Sequence, residues 1–346
     1  MEDNIPKELA DQSRDLKEDP TKNQELSLEP EKEPRASEPG LKAPKKGNAI
    51  KVIVSIFLLL VFVAWTAWYV STHQREFIEA LELFEPKTLA LLCLMVFVTY
   101  LANGEILRWA MKLHGIKVPL LENLALTFCT AAANYFFPFK GAAGIRALYL
   151  KSRHGLNFTD FFSQIVLVGF ITVMVSSLAA LISLAHLDAK GANLALTLYF
   201  SAAFILSFAL IFLGRLKLPL KILQNLSHSW IGVFNGPIII RIVLLDVLYF
   251  FSWAGANWVA LKAFGLSLGF FEAIFYAAGQ IHSLLINLTP AGLGLMEAFS
   301  VFAGSLMGLT PAEALVAQGL FRVAAFGTLV LFGLLGWLYL SFQDGK

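Results

Sequence analysis

The stretch 287–322, NLTPAGLGLMEAFSVFAGSLMGLTPAEALVAQGLFR, lies between apolar runs long enough to cross a bilayer. It narrows what the chain can fold into more than any other segment. Pro290, Gly292 and Gly294 precede the carboxylate of Glu297, and Gln318 and Arg322 then fall inside an apolar helical pattern. Proline removes a backbone donor, and glycine admits tight turns and close approach. In lipid such a break persists only where protein or a water-filled cavity satisfies the freed backbone groups. An ionisable side chain at that depth costs roughly 2.5–3.5 kcal/mol on insertion scales, so Glu297 and Arg322 require partners.

With 57% hydrophobic and 15% charged residues, the chain is too apolar for a soluble domain and reads as an all-α polytopic membrane protein. Cys93 and Cys129 both sit in apolar runs and read as small hydrophobes. The six histidines, His73, His114, His154, His186, His228 and His282, are scattered, with no metal-ligand spacing. Nucleophile elbow, phosphate loop and dinucleotide fingerprint are all missing from the sequence. These features predict no metal, no cofactor and no nucleic-acid partner, and they leave an enzyme reading resting on isolated membrane-embedded groups.

Residues 1–48 form a mixed-charge, proline-containing tail with few bulky apolar residues, which predicts a disordered cytoplasmic segment. Residues 49–343 form a single transmembrane domain. Its first span, 49–70, follows Lys42, Lys45 and Lys46, and this charge bias puts the N-terminus in the cytoplasm of an inner (plasma) membrane. The acidic connection 71–87 suits the outer face, and 88–109 returns. Further spans are predicted over 158–184, 192–213, 238–264 and 311–340, with a cytoplasmic C-terminus. The segment 216–234 reads equally as an interfacial amphipathic helix or a cytoplasmic loop.

The run 120–137 lies inside a basic region holding Arg108, Lys112, Lys117, Lys140, Arg146, Lys151 and Arg153 against Glu122. A full crossing, roughly 27 Å for its length, puts Lys140, Arg146, Lys151 and Arg153 outside, against the charge rule. Entry part way, with a turn from Asn134 to Gly144, keeps both basic flanks inside. The second arrangement is the expected one, and it makes a re-entrant hairpin over about 120–150. A second hairpin is expected over about 270–308, for a total of about six full spans and two re-entrant hairpins.

The hairpins match in order. Asn134, Pro138, Gly141, Gly144, Arg146, Asp160 and Gln164 correspond to Asn287, Pro290, Gly292, Gly294, Glu297, Glu313 and Gln318. Asn157 with Asp160, and Thr310 with Glu313, are both spaced as a helix N-cap with an acid at the third position. The charge rule puts the hairpins on opposite faces, which predicts an inverted repeat of the kind found in alternating-access transporters.

TPAGLGLMEA followed by GLTPAEALVAQGLFR resembles the C-terminal signature of the lysylphosphatidylglycerol synthase transmembrane, or flippase-like, family. Pro290, Gly292, Gly294, Glu297 and Arg322 match, and Ala291 replaces a glycine. The N-terminal signature is looser: Asn134, Pro138 and Arg146 fit, while Ala143 stands where the family commonly has Glu. The resemblance implies an inner-membrane protein that handles lipids or lipid-linked sugars. It does not imply lysyl transfer, because no soluble transferase domain follows the last span.

The leading expectation is a flippase for an anionic phospholipid or a polyprenyl-linked precursor. A non-catalytic membrane partner of a lipid-modifying or glycosyltransfer enzyme is the alternative, and a membrane-embedded enzyme a third. Arg146 and Glu297 occupy equivalent hairpin positions and are expected to meet, with Arg322 a second partner for Glu297. Arg146 or Arg322 either receives a lipid phosphate, which guanidinium binds bidentately, or belongs to a permanent ion pair. Gln280, His282 and Gln318 are candidates to line the same cavity, His282 more plausibly as an interhelical hydrogen-bonder. Asp246 and Arg241, five residues apart, read as a local pair. Oligomeric state is not legible.

Overall fold

Helices account for nearly all of what the computed structural model describes, namely Ser71 and residues 85–135, 141–187, 193–213, 236–263, 268–286 and 292–344. In chain order they are α1 (Pro86–Lys112), α2 (Leu120–Ala133), α3 (Gly141–His154), α4 (Phe158–His186), α5 (Asn193–Leu213), α6 (Gly236–Lys262), α7 (Phe270–Ile286), α8 (Leu295–Leu306) and α9 (Pro311–Asp344). Five of them, α1, α4, α5, α6 and α9, are long and apolar enough to cross a membrane. The chain is thus a polytopic helical membrane protein. The tail 1–48 and the predicted span 49–70 lie outside the described residues, as does the segment 216–234.

The other four helices are short. At 1.5 Å per residue, α2 and α3 with 14 residues each span about 21 Å, α7 with 17 about 25 Å and α8 with 12 about 18 Å. Each falls short of the roughly 30 Å hydrocarbon core. α2 packs against α3, and α7 against α8.

Each break has a local cause. α7 ends at Ile286, and α8 begins only after Gly292 (φ 68°) and Gly294 (φ 85°), both in the left-handed region that glycine occupies without strain. The acid of Glu297 then accepts the Gly294 amide at 2.7 Å and satisfies one free donor of the new helix. α9 starts with a reciprocal cap: the Thr310 amide donates to Glu313 Oε2 at 2.7 Å, and the Glu313 amide donates to Thr310 Oγ1 at 3.3 Å. At α4 the expected cap does not form. Asn157 precedes the helix but makes no side-chain bond to its backbone; its Nδ2 donates instead to Asp160 Oδ2 at 3.4 Å. Gly144 is likewise corrected, because helix geometry resumes at Gly141 and places Gly144 within the first turn of α3 rather than in the connection.

Glycines let helices approach closely: a Cβ at Gly279 on α7 would run into the Phe299 ring of α8. α9 crosses α2 at Gly333 and Gly336, and a Cβ at Gly336 would stand 2.8 Å from the Ala125 carbonyl oxygen. Such contacts drive helix association in lipid, where apolar burial supplies little. The largest core joins α1 and α4 through α9 around Phe200, Phe250, Trp253, Phe275, Tyr276 and Phe321. Large apolar side chains on α5 and α9, including Leu198, Ile205, Leu334 and Trp337, face outward, as lipid-facing surface does.

Candidate functional site

Arg146 is buried in α3 with 4% of its surface exposed, and its guanidinium meets neutral groups. Nη2 donates to Asn123 Oδ1 at 2.8 Å and Nη1 to Thr127 Oγ1 at 3.2 Å, while Nε has no partner among the described residues. Asn123 Nδ2 donates to the Gly104 carbonyl at 2.8 Å, which turns the amide oxygen toward the arginine. Gly104 permits this approach of α1: a Cβ there would press on Leu124 at 3.0 Å and Thr127 Oγ1 at 3.1 Å. Among the described residues no carboxylate pairs with Arg146.

The nearby acid Glu122 is committed elsewhere. It is 3% exposed and accepts the Tyr149 hydroxyl at 2.8 Å, with His154 Nε2 at 2.8 Å and Arg153 Nε at 3.6 Å. Start of α2 and end of α3 are thereby clamped together. Just beyond α1, burial holds the His114 imidazole below its ordinary value even though Asp160 stands 3.9 Å away.

In the second pair of short helices, Glu297 Oε1 takes the Nε of Arg322 on α9, and Arg322 Nη2 donates to the Gly292 carbonyl at 3.4 Å. The expected meeting of Arg146 with Glu297 is therefore corrected. Each belongs to its own cluster, because Glu297 is already engaged by Arg322 and by the Gly294 amide. The two regions still approach one another. Tyr135, just past α2, packs edge-on against Phe326, one turn beyond Arg322. Both Tyr100 on α1 and Tyr135 lie within Coulombic range of the Arg322 guanidinium.

Gln280 and Gln318 form a buried network that joins four helices. Gln280 Oε1 accepts Trp253 Nε1 at 3.0 Å, and its Nε2 donates to Gln318 Oε1 at 2.6 Å and Ser300 Oγ at 3.3 Å. His282 is held at both nitrogens, Nδ1 by the Tyr199 hydroxyl at 2.9 Å and Nε2 by Ser176 and Ser177 at 3.2 Å each. That is the interhelical role expected for it. Asn134 caps the end of α2, and its buried Oδ1 has no partner. Pro138, Asn287 and Pro290 lie outside the described residues.

The Asp246–Arg241 pair is corrected. Asp246 Oδ1 accepts the Thr172 hydroxyl at 2.6 Å, and the Arg241 guanidinium stands 4.4 Å over the Trp109 ring. Sequence reading missed Asn123, Thr127 and Thr172 as partners. The spacing of Asn123 and Thr127, one turn apart in a short apolar helix, was the available signal for a polar face.

Short paired helices, a part-buried Arg–Glu pair and a buried arginine with no carboxylate partner among the described residues, within a bundle of helices long enough to span, define a helical membrane protein with polar chemistry in its interior. The chain belongs to the lysylphosphatidylglycerol synthase TM region family, whose profile matches residues 49–333. A lipid-related membrane function follows from that membership. No curated protein matches the chain.

Proposed function

We propose that the protein moves an anionic lipid or lipid-linked precursor across the inner membrane, and that Arg146 receives its phosphate. Carrying this reading is one observation: Arg146 is a buried guanidinium held by neutral dipoles, with an unused donor at Nε. A buried charge without a partner is costly. A phosphate supplies both the missing charge and oxygens matched to the guanidinium fork. Arg322 is the weaker candidate, because Glu297 already compensates it.

In this reading α2–α3 and α7–α8 are re-entrant hairpins entering from opposite faces, both termini are cytoplasmic, and the two halves form an inverted repeat. Four helices too short to cross, in two adjacent pairs, support it. So does the approach of Tyr135 to the Arg322 region. Alternating exposure of a site near the midplane is the mechanism such repeats perform.

Asn123→Asp separates this reading from a structural role for Arg146. The new carboxylate sits where Asn123 Oδ1 now accepts Arg146, so it supplies an internal counter-charge and competes with phosphate. In proteoliposomes containing fluorescent phosphatidylglycerol, folded Asn123→Asp protein should redistribute the lipid at least about tenfold more slowly than wild type, equivalent to about 1.4 kcal/mol of lost interaction. Wild-type rates in both Asn123→Asp and Arg146→Gln would sink the proposal.

A further inference from the structure

Asp246 is a buried acid that phosphate binding does not use. It has no exposed surface, Thr172 donates to its Oδ1 at 2.6 Å, and its Oδ2 has no partner among the described residues. No cation among the described residues pairs with it. One turn before it on α6, Ile242 joins a core with Ile106 and Ala110 of α1 and Leu167 and Ile171 of α4. Tyr249 follows three residues on along α6, and the charged groups where α1 packs on α6 are engaged with one another: Glu105 with Arg108, and Lys112 and Arg241 over the Trp109 ring. α7 and α9 reach α6 farther along, at Trp253 through Gln280 and Phe321.

Depth sharpens the problem. Thr172 is the central residue of α4, fourteen residues from either end, and Asp246 lies within one turn of the centre of α6. The pair thus lies near mid-length of two candidate spans. An ionisable group there is by default a functional candidate. A carboxyl that lacks a counter-charge relieves the cost of burial by taking a proton.

We propose that Asp246 is a proton-binding site and that its loading couples a proton gradient to lipid movement. The coupling clause rests on the transport reading above. No covalent bond changes: a proton joins Oδ2 to give the neutral acid and leaves again on release. One proton travelling with a singly charged lipid anion moves no net charge.

Two arms test this. The first needs no transport. Infrared difference spectra of protein in phosphatidylcholine vesicles, between about pH 5 and about pH 9 to bracket a perturbed carboxyl, should show a carboxylic-acid carbonyl band that grows in acid. Asp246→Asn should lack it, and Thr172→Val should displace its frequency by removing the bonded hydroxyl. A band that never changes with pH, or none that depends on Asp246, overturns the proton site.

The second arm uses proteoliposomes of phosphatidylcholine with fluorescent phosphatidylglycerol and the potential clamped at zero with potassium and valinomycin. A one-unit pH gradient should bias the wild-type lipid distribution by up to about tenfold, the ratio that one coupled proton supplies. Whatever movement remains in Asp246→Asn should ignore the gradient. Wild-type movement that ignores it overturns the coupling. If wild type moves no lipid, the transport reading falls, and the infrared band alone upholds or overturns the proton site.

Discussion

Arg322 holds Glu297 by its Nε while the second oxygen of the same carboxylate caps Gly294, so one acid both starts α8 and fastens it to α9. Arg146, in the other pair of short helices, has no such acid among the described residues. The two pairs of short helices therefore differ in chemistry: α8 is fastened by an ion pair, and α3 carries a cation that neutral groups hold.

Glu297→Gln should lower stability by about 3 kcal/mol, the usual loss when one partner of a buried pair is removed. Thermal unfolding in detergent measures it. The double variant Glu297→Gln with Arg322→Gln should lose less than the sum of the single losses, and strict additivity would show that the pair contributes nothing.

Gly336→Ala should destabilise by about 1–3 kcal/mol, because its Cβ meets the Ala125 backbone at 2.8 Å and α9 must shift off α2. Gly327→Ala meets nothing within 4 Å and should be neutral or stabilise by up to about 1 kcal/mol through helix propensity. Equal melting temperatures for the two variants would contradict the close α2–α9 crossing.

Gln280→Leu leaves Trp253 Nε1 without its acceptor and removes the donor to Gln318 Oε1, so it should cost about 2 kcal/mol. Gln280→Glu keeps an acceptor for Trp253 but sets a carboxylate against Gln318 Oε1, and it should be at least as damaging. A melting temperature unchanged in both variants would remove the network from the account of stability.

In a Cys93→Ala, Cys129→Ala background, single cysteines at Lys151 and Ser305, both exposed positions, test the inverted repeat. Impermeant thiol reagent should reach Lys151→Cys from the cytoplasm and Ser305→Cys from the opposite face. Labelling of both from one side rules the repeat out.

Much of the fold was legible from local pattern. The five described spans begin and end close to where hydropathy puts them, and the Thr310–Glu313 cap forms as its spacing predicts. Glycines at 292 and 294 interrupt the chain where the sequence says a helix must stop. The cap predicted at Asn157 failed because Asp160 offers its side chain a competing partner within the same turn.

What determined these features is short range: apolar length sets a span, and a cap is decided within one helical turn, so the sequence by itself carries both along with the family. Partner choice among buried polar groups was decided only by tertiary structure. Arg146 found Asn123 and Thr127, Glu297 found Arg322, and Asp246 found Thr172 rather than Arg241. Those matches depend on the rotation and register of helices against one another. Close contacts at Gly104, Gly333 and Gly336 set that register, and no single run of residues contains it.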